Sequence, residues 1–322
     1  MLVLVTGAPG FLGAHVVHAL LRQGDEVRAL VRPGGPRNHI RKLGVGWVEG
    51  DLLDTDGLER ACVGVDAVVH TAALLSYWSR HRRELERVNV EGTMNLLRAA
   101  HAARVKRVVH VSSAATVGTS PQGELLDEQA FWEPNNERIA YVRTKRHAED
   151  RVLAASWGGL PAVVVNPSTL LGPRLDGRPP SPLITGIMHG QLPWVPPGGV
   201  SVTDVSDVAL AVVRALRTGR PGERYLLTGH NLTWEQLYAT IAEHADGRVP
   251  TLKLGPKRLR WLRGLAAIKD ALRLTRPPWT PDLYRGYGTY AWYDASKATA
   301  ELGYRIRPLR SIIRHTTRRD LE

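Results

Sequence analysis

Residues 4–17 read "LVTGAPGFLGAHVV". A run of apolar β-formers leads into Gly7, Gly10 and Gly13, and a helical pattern follows that closes at Gly24. In that context Gly7 permits a tight turn, Gly10 lets the chain approach a pyrophosphate, and Gly13 packs the helix on the strand. Free N–H groups at the helix N-terminus then face the anion. The ligand indicated is a dinucleotide; the alternative, a glycine turn with no ligand, is disfavoured by what surrounds it.

Short Val-rich runs, "EVRALVR", "VGWVEGD", "DAVVHTAA", "KRVVHVSS" and "PAVVVNPS", alternate with helical stretches such as "VNVEGTMNLLRAAHAA". Buried parallel strands read in this way. The order predicts an α/β fold, a doubly wound parallel sheet of the Rossmann type, with a smaller, discontinuous C-terminal substrate domain. The dinucleotide-binding part is expected over 1–168 plus about 201–230, where "SVTDVSDVALAVVRAL" and "ERYLLTG" look like a helix and strand returning to the sheet. Pro- and Gly-rich "GPRLDGRPPSPL" and "LPWVPPGG" mark the boundary, and about 169–200 with 231–322 would bind substrate.

The chain has 322 residues, 43% hydrophobic and 23% charged, with a net charge of +12. That composition suits a soluble globular protein. A basic balance favours anionic ligands or surfaces. No nucleic-acid-binding signature is present. One cysteine, Cys62, excludes an internal disulfide and a cysteine-built metal site and agrees with a cytoplasmic location. No signal peptide and no apolar run long enough to span a bilayer is found.

The end of the second strand selects the dinucleotide. An NAD site places a carboxylate there for the ribose 2′-hydroxyl, whereas Arg suits a 2′-phosphate. Arg32 holds the position, no acidic residue occurs from Val27 to Val48, and Arg28, Arg37, Arg41 and Lys42 add positive charge. NADP(H) is therefore expected over NAD(H), with Asp51 of "GDL" on the adenine side; a solvated basic loop is the alternative.

In "AYVRTKRHAE", Tyr141 and Lys145 lie four apart on a predicted helix, so they share a face. An ammonium beside the phenol is expected to lower its pKa and make it an acid–base group. Upstream, "VSSAATVG" ends the fifth strand and offers Ser112 and Ser113 to a substrate carbonyl.

Taken in order, "TGAPGFLG", "GDL", "HTAA", "VNVEGT", "VSSAATVG", "YVRTK" and "NPSTLLGPR" resemble the extended short-chain dehydrogenase/reductase superfamily across essentially the whole chain. The dihydroflavonol 4-reductase-like and 3β-hydroxysteroid dehydrogenase-like subgroups are nearest, together with hopanoid-associated sugar-epimerase-like proteins. The resemblance implies that Tyr141 is the proton donor, Lys145 its activator and ribose ligand, and Ser113 the carbonyl-orienting group. Asn89 would support the site, and Phe11, Leu12, Leu52, Thr71, Ala72, Ala73, Pro167 and Ser168 would line the cofactor.

Two enzymatic readings remain open. One is reduction of an apolar ketone or aldehyde by NADPH; the other is a nucleotide-sugar epimerase or dehydratase with tightly held NAD. The family's usual "RYFN" is "VVNPS" here, the Arg commonly found before the "VHVDDVA"-like segment is absent from "GGVSVTDVSDVA", and Arg32 speaks against NAD, so the reductase is favoured. A non-catalytic binding protein would need Ser, Tyr and Lys to be vestigial.

Elsewhere, His15 and His18 read as packing or surface residues rather than metal ligands, and Cys62 as a buried small hydrophobe. Trp78 in "LLSYWSRHRR" is either core or part of a loop over the site. Residues 252–279 hold eight basic residues against the single acidic Asp270, with Leu259, Leu262, Leu265, Ile268 and Leu272 at helical intervals. That pattern is an amphipathic basic helix, either a substrate lid packed on its own domain or a peripheral contact with anionic membrane. The protein is expected as a monomer or homodimer.

Overall fold

The computed structural model describes residues 1–317 apart from 36–39, 41, 42, 133–136, 246, 276 and 277. Arg37, Arg41, Lys42 and Arg276, part of the expected positive charge, lie outside the described residues.

The Val-rich runs form the predicted parallel sheet. Its strands are β1 Leu2–Thr6, β2 Glu26–Val31, β3 Gly46–Glu49, β4 Ala67–His70, β5 Arg107–Val111, β6 Ala162–Pro167 and β9 Arg224–Leu227, in the order β3-β2-β1-β4-β5-β6-β9. All six pairings are parallel. Side chains alternate faces along a strand, and both faces are covered, which is why the runs are continuously apolar. Val3, Val5, Val109 and Val163 pack with α1 (Phe11–Arg22) and the long helix Val205–Thr218. Leu4, Val68, Val108 and Val164 pack on the opposite face, with Thr55–Cys62, Gly92–Ala102 and the helix Ala140–Trp157. The strand order reverses between β1 and β4, so their carboxyl ends open the crevice in which such sheets bind ligands.

A smaller sheet is built around β8 (Gly199–Asp204), which pairs with β7 (Thr169–Leu171), β10 (His230–Thr233) and β11 (Tyr290–Ala291). Ser201–Asp204 therefore lies in this second sheet, while Val205–Thr218 and β9 return to the first.

The amphipathic stretch forms the helix Pro256–Ala271, but its apolar residues do not make one buried stripe. Leu259 and Ala266 are buried and Leu262 packs with them against Leu254 and Tyr284, whereas Ile268 and Leu272 are exposed. The helix core is a narrow ridge, and its C-terminal apolar residues face outward. No described helix is long and apolar enough to cross a membrane.

Candidate active site

The first turn of α1 is built for close approach. Gly7 sits at φ +70°, and a Cβ there would stand 2.7 Å from the Ala72 nitrogen of the loop after β4. Gly13 is likewise closed in by the Gly7 carbonyl. Gly10 differs: its only near neighbour would be the Gly7 oxygen of its own turn, so its outward side is open. It occupies the N-cap of α1 with no side-chain cap, which leaves the first N–H groups available to an anion. Phe11 and Leu12 begin the helix.

Around this turn the other sequence-predicted residues gather at the carboxyl ends of the strands. Thr71 donates its hydroxyl to the Thr6 carbonyl at 2.7 Å, which ties β4 to β1 and places Ala72 and Ala73 beside the glycines. Asp51 accepts from the Leu53 nitrogen at 2.9 Å, and Leu52 is buried. Pro167 ends β6 and Ser168 follows it, with a buried hydroxyl that lacks a partner among the described residues. Arg32 is exposed just past β2 and makes no ion pair among the described residues. An open glycine cradle, an uncapped helix terminus, an unpartnered hydroxyl and an uncommitted guanidinium together fit a dinucleotide. Arg28 does not belong to this set: its guanidinium is spent on the carbonyls of Ala61 and Val63, at 2.9 and 2.7 Å.

The reactive groups stand at the end of β5. Ser112 and Ser113 are consecutive just past β5, so extended backbone turns their side chains to opposite sides. Ser112 turns inward and donates to Glu149 Oε2 at 2.6 Å, while the Ser113 hydroxyl accepts from the Ala115 nitrogen at 3.3 Å and lies near Tyr141. Tyr141 and Lys145 lie one turn apart on Ala140–Trp157, as their spacing predicts. Lys145 is almost wholly buried and donates to the Val111 carbonyl at 2.7 Å. Burial draws its ammonium down to about 8, against the opposing pull of Glu149. The expected lowering of the Tyr141 pKa is not what the protein alone produces: burial, helped by neighbouring Tyr77, pushes the phenol above its usual range, and only nearby Ser113 opposes this. The phenol is thus protonated at neutral pH, the state an acid needs.

Buried residues around the reactive groups include Glu149, which was not singled out in the sequence, and Asn89, which was. Glu149, fully buried, accepts at one oxygen from Ser112, Thr116 and Asn166 and meets Arg224 at 3.1 Å with the other. A buried carboxylate is tolerable when every lone pair is occupied in this way. It falls one turn beyond Lys145, and this Tyr-Lys-Glu register was the available clue. Asn89 lies in a π-helical turn, Glu86–Glu91, and clamps the loop after β4 through both the N–H and the carbonyl of Leu74, as well as the Thr144 hydroxyl. Its expected supporting role takes this form. Beneath Lys145, burial holds His70 down to about 3 and lowers its neighbour His110 as well, so neither competes as a cation at neutral pH.

The loop after β4 forms the outer wall. The Tyr77 ring approaches Tyr141 edge-on at 6.0 Å, and Trp78 packs on His81. From the C-terminal part, Asp282 on the short helix Pro281–Arg285 accepts from the Ala140 nitrogen at 3.2 Å. His15 is buried and bonded to the Pro173 carbonyl, and no metal-binding cluster occurs among the described residues. Cys62 is buried, its thiol raised to about 11.

Comparison with known proteins agrees with this geometry. Residues 3–227 match the model of the NAD dependent epimerase/dehydratase family. The chain belongs to that family. It is 35% identical to a protein of Synechocystis sp. provisionally named dihydroflavonol 4-reductase, over 93% of this chain and 88% of that one. Sterol demethylase protein B of Methylococcus capsulatus is 37% identical, over 84% and 82% respectively. Among solved structures, the dTDP-glucose 4,6-dehydratase DesIV of Streptomyces venezuelae, with NAD and DAU bound, superimposes with a TM-score of 0.78 at 25% identity, over 99% of this chain and 96% of that chain. The protein is accordingly an NAD(P)-dependent enzyme of the extended short-chain dehydrogenase/reductase type, acting on CH–OH and C=O groups.

Proposed function

We propose that the protein is a cytoplasmic NADP(H)-dependent reductase that converts an apolar ketone or aldehyde to its alcohol. The observation that carries this reading is the convergence of Ser113, just past β5, with Tyr141 and with the buried ammonium of Lys145, which holds the Val111 carbonyl at the end of the same strand. Gly7, Gly10, Phe11, Leu12 and Gly13 would hold the pyrophosphate turn, Asp51 and Leu52 the adenine side, and Thr71, Ala72, Ala73, Pro167 and Ser168 the remainder. Arg32 would take the 2′-phosphate, since a guanidinium grips phosphate through two parallel hydrogen bonds. Residues 1–168 with about 201–230 would serve the dinucleotide, and 169–200 with 231–322 the substrate.

When bound, a reduced nicotinamide supplies the hydride. The chain supplies the rest. Ser113 Oγ donates to the substrate oxygen and fixes its place, and Tyr141 Oη hands that oxygen its proton as negative charge develops there. Lys145, one turn along, supplies the cation that steadies the phenolate left behind and can reach the nicotinamide ribose. Tyr77 and Trp78 offer an aromatic, apolar wall to the substrate.

The alternative is an NAD-dependent nucleotide-sugar epimerase or dehydratase, favoured by the likeness to DesIV. The two separate in one experiment: protein as purified is assayed for retained NAD, then incubated with NADPH or NADH and either apolar ketones or nucleotide sugars. Ketone-dependent NADPH oxidation supports the reductase; retained NAD with sugar conversion rejects it.

A further inference from the structure

The helix Pro256–Ala271 has two apolar faces, and only one has a partner. Leu259, Leu262 and Ala266 pack against Leu254, Trp194 and Tyr284. On the other side Trp261 is 66% exposed, Ile268 59%, Leu272 63% and Leu274 66%, values that place most of each side chain in water. Trp261, Ile268 and Leu272 share one side of the helix by their spacing, with Gly264 between the first two.

Cations flank this strip. Of the eight basic residues read from the sequence, Lys253 is paired with Glu235 at 2.7 Å, Arg263 is turned onto the carbonyls of Tyr284 and Tyr287, and Arg276 lies outside the described residues. The remaining five, Lys257, Arg258, Arg260, Lys269 and Arg273, are exposed. The only acidic residue of the segment, Asp270, is occupied by the Ser79 hydroxyl at 2.6 Å. Beside the helix C-terminus lies a recess of about 650 Å³ whose charged lining is Arg80, Arg82, Arg83 and Arg273 against Asp270.

We propose that this face docks on an anionic lipid bilayer, with the apolar strip entering the acyl boundary and the recess receiving phosphate headgroups. Aliphatic side chains in water beside unpaired guanidinium groups match a surface that is apolar within and anionic at its rim. A nucleic acid would leave Ile268, Leu272 and Leu274 without a counterpart. The surface is joined to the catalytic cleft: Ser79 bonds to Asp270, Arg80 donates to the Arg273 carbonyl at 2.8 Å, and both continue the segment whose Tyr77 meets Tyr141. Docking there would bring the cleft to the bilayer, the source of an apolar carbonyl substrate.

The test is co-sedimentation of the full chain with vesicles of phosphatidylglycerol and phosphatidylcholine, against phosphatidylcholine alone, at low and high salt. Binding to the anionic vesicles at low salt, release at high salt and no binding to neutral vesicles are expected. Inorganic phosphate at constant ionic strength should not displace the protein. Ile268→Ser with Leu272→Ser, and separately Arg260→Glu with Lys269→Glu, should each weaken binding about tenfold or more while leaving reduction of a water-soluble carbonyl and thermal stability unchanged. Absence of binding at low salt, equal binding to neutral vesicles, or binding indifferent to both double variants would overturn the proposal. So would self-association that the Ile268→Ser, Leu272→Ser variant abolishes without any vesicle binding, which would assign the face to a second copy.

Discussion

Asp282 accepts the backbone N–H of Ala140, the residue immediately before Tyr141, across 142 positions of sequence. The carboxylate is almost fully buried, and its other oxygen meets Arg285 and, at 3.8 Å, Arg82. A negative group at a helix N-terminus satisfies an otherwise orphaned donor and complements the helix dipole. Here it also ties the C-terminal part of the chain to the start of the catalytic helix. Asp282→Ala should cost about 1–3 kcal/mol in urea unfolding and lower turnover while leaving NADPH affinity in place. Asp282→Asn, which keeps an acceptor for Ala140, should recover most of the turnover. Equal turnover in all three proteins would show that the contact only holds the fold.

The two adjacent serines should separate cleanly. Ser112→Ala removes a hydrogen bond from buried Glu149 and should destabilise the protein by about 1.5–3 kcal/mol with turnover per folded molecule preserved. Ser113→Ala, which loses only the 3.3 Å bond its hydroxyl accepts from the Ala115 nitrogen, should cost less, about 0.5–1 kcal/mol, and reduce turnover by about 10². Thermal unfolding and steady-state rates on the same preparations distinguish them; the opposite pattern would exchange their roles.

Much of this was legible in the sequence. Strands buried on both faces leave continuous Val-rich runs, glycines in a closely packed strand-to-helix turn keep fixed spacing, and a helical pair four apart announces a shared face, so the sheet, the geometry of the turn and the placing of Tyr141 and Lys145 on one helix could all be read locally. Groups acting across long sequence separations left no such trace. Nothing near Asp282 points to Ala140, and although the family resemblance singled out Ser113, no local signal showed that Ser112 turns toward Glu149. Charge counting also overstated the cofactor site, because Arg28 is consumed by the carbonyls that end a neighbouring helix. The five regularly spaced apolar residues of 252–279 suggested one stripe, but burial depends on what lies opposite, and only the ridge of Leu259, Leu262 and Ala266 meets the domain.

Lys145 gives a dependence on pH with a definite sign. Its ammonium titrates near about 8 in the folded protein against an ordinary 10.5, so between these values the unfolded chain holds more protons. Its contribution to stability therefore rises with pH across that window and is lost as pH falls through about 8. Denaturant unfolding of the native protein and Lys145→Met should show a stability difference that shifts toward the native protein from pH 8 to 10.5 and is flat below. A difference independent of pH would mean that Lys145 is not buried as a cation.

Under the proposed function, Arg32 would set the cofactor preference. Losing a paired phosphate contact costs about 1.5–3 kcal/mol, so Arg32→Asp should weaken NADPH binding by at least about tenfold and leave NADH binding similar or better. Fluorescence titrations with both cofactors check this. Equal losses for the two would remove Arg32 from the site.

The most direct measurement is the rate of carbonyl-dependent NADPH oxidation by Tyr141→Phe. The substitution keeps the ring against Tyr77 and removes only the hydroxyl. Fold and NADPH affinity should be retained while turnover falls by about 10² or more, the scale of a lost general acid. Turnover close to that of the native protein would contradict the account, because the proton would then reach the substrate from another group.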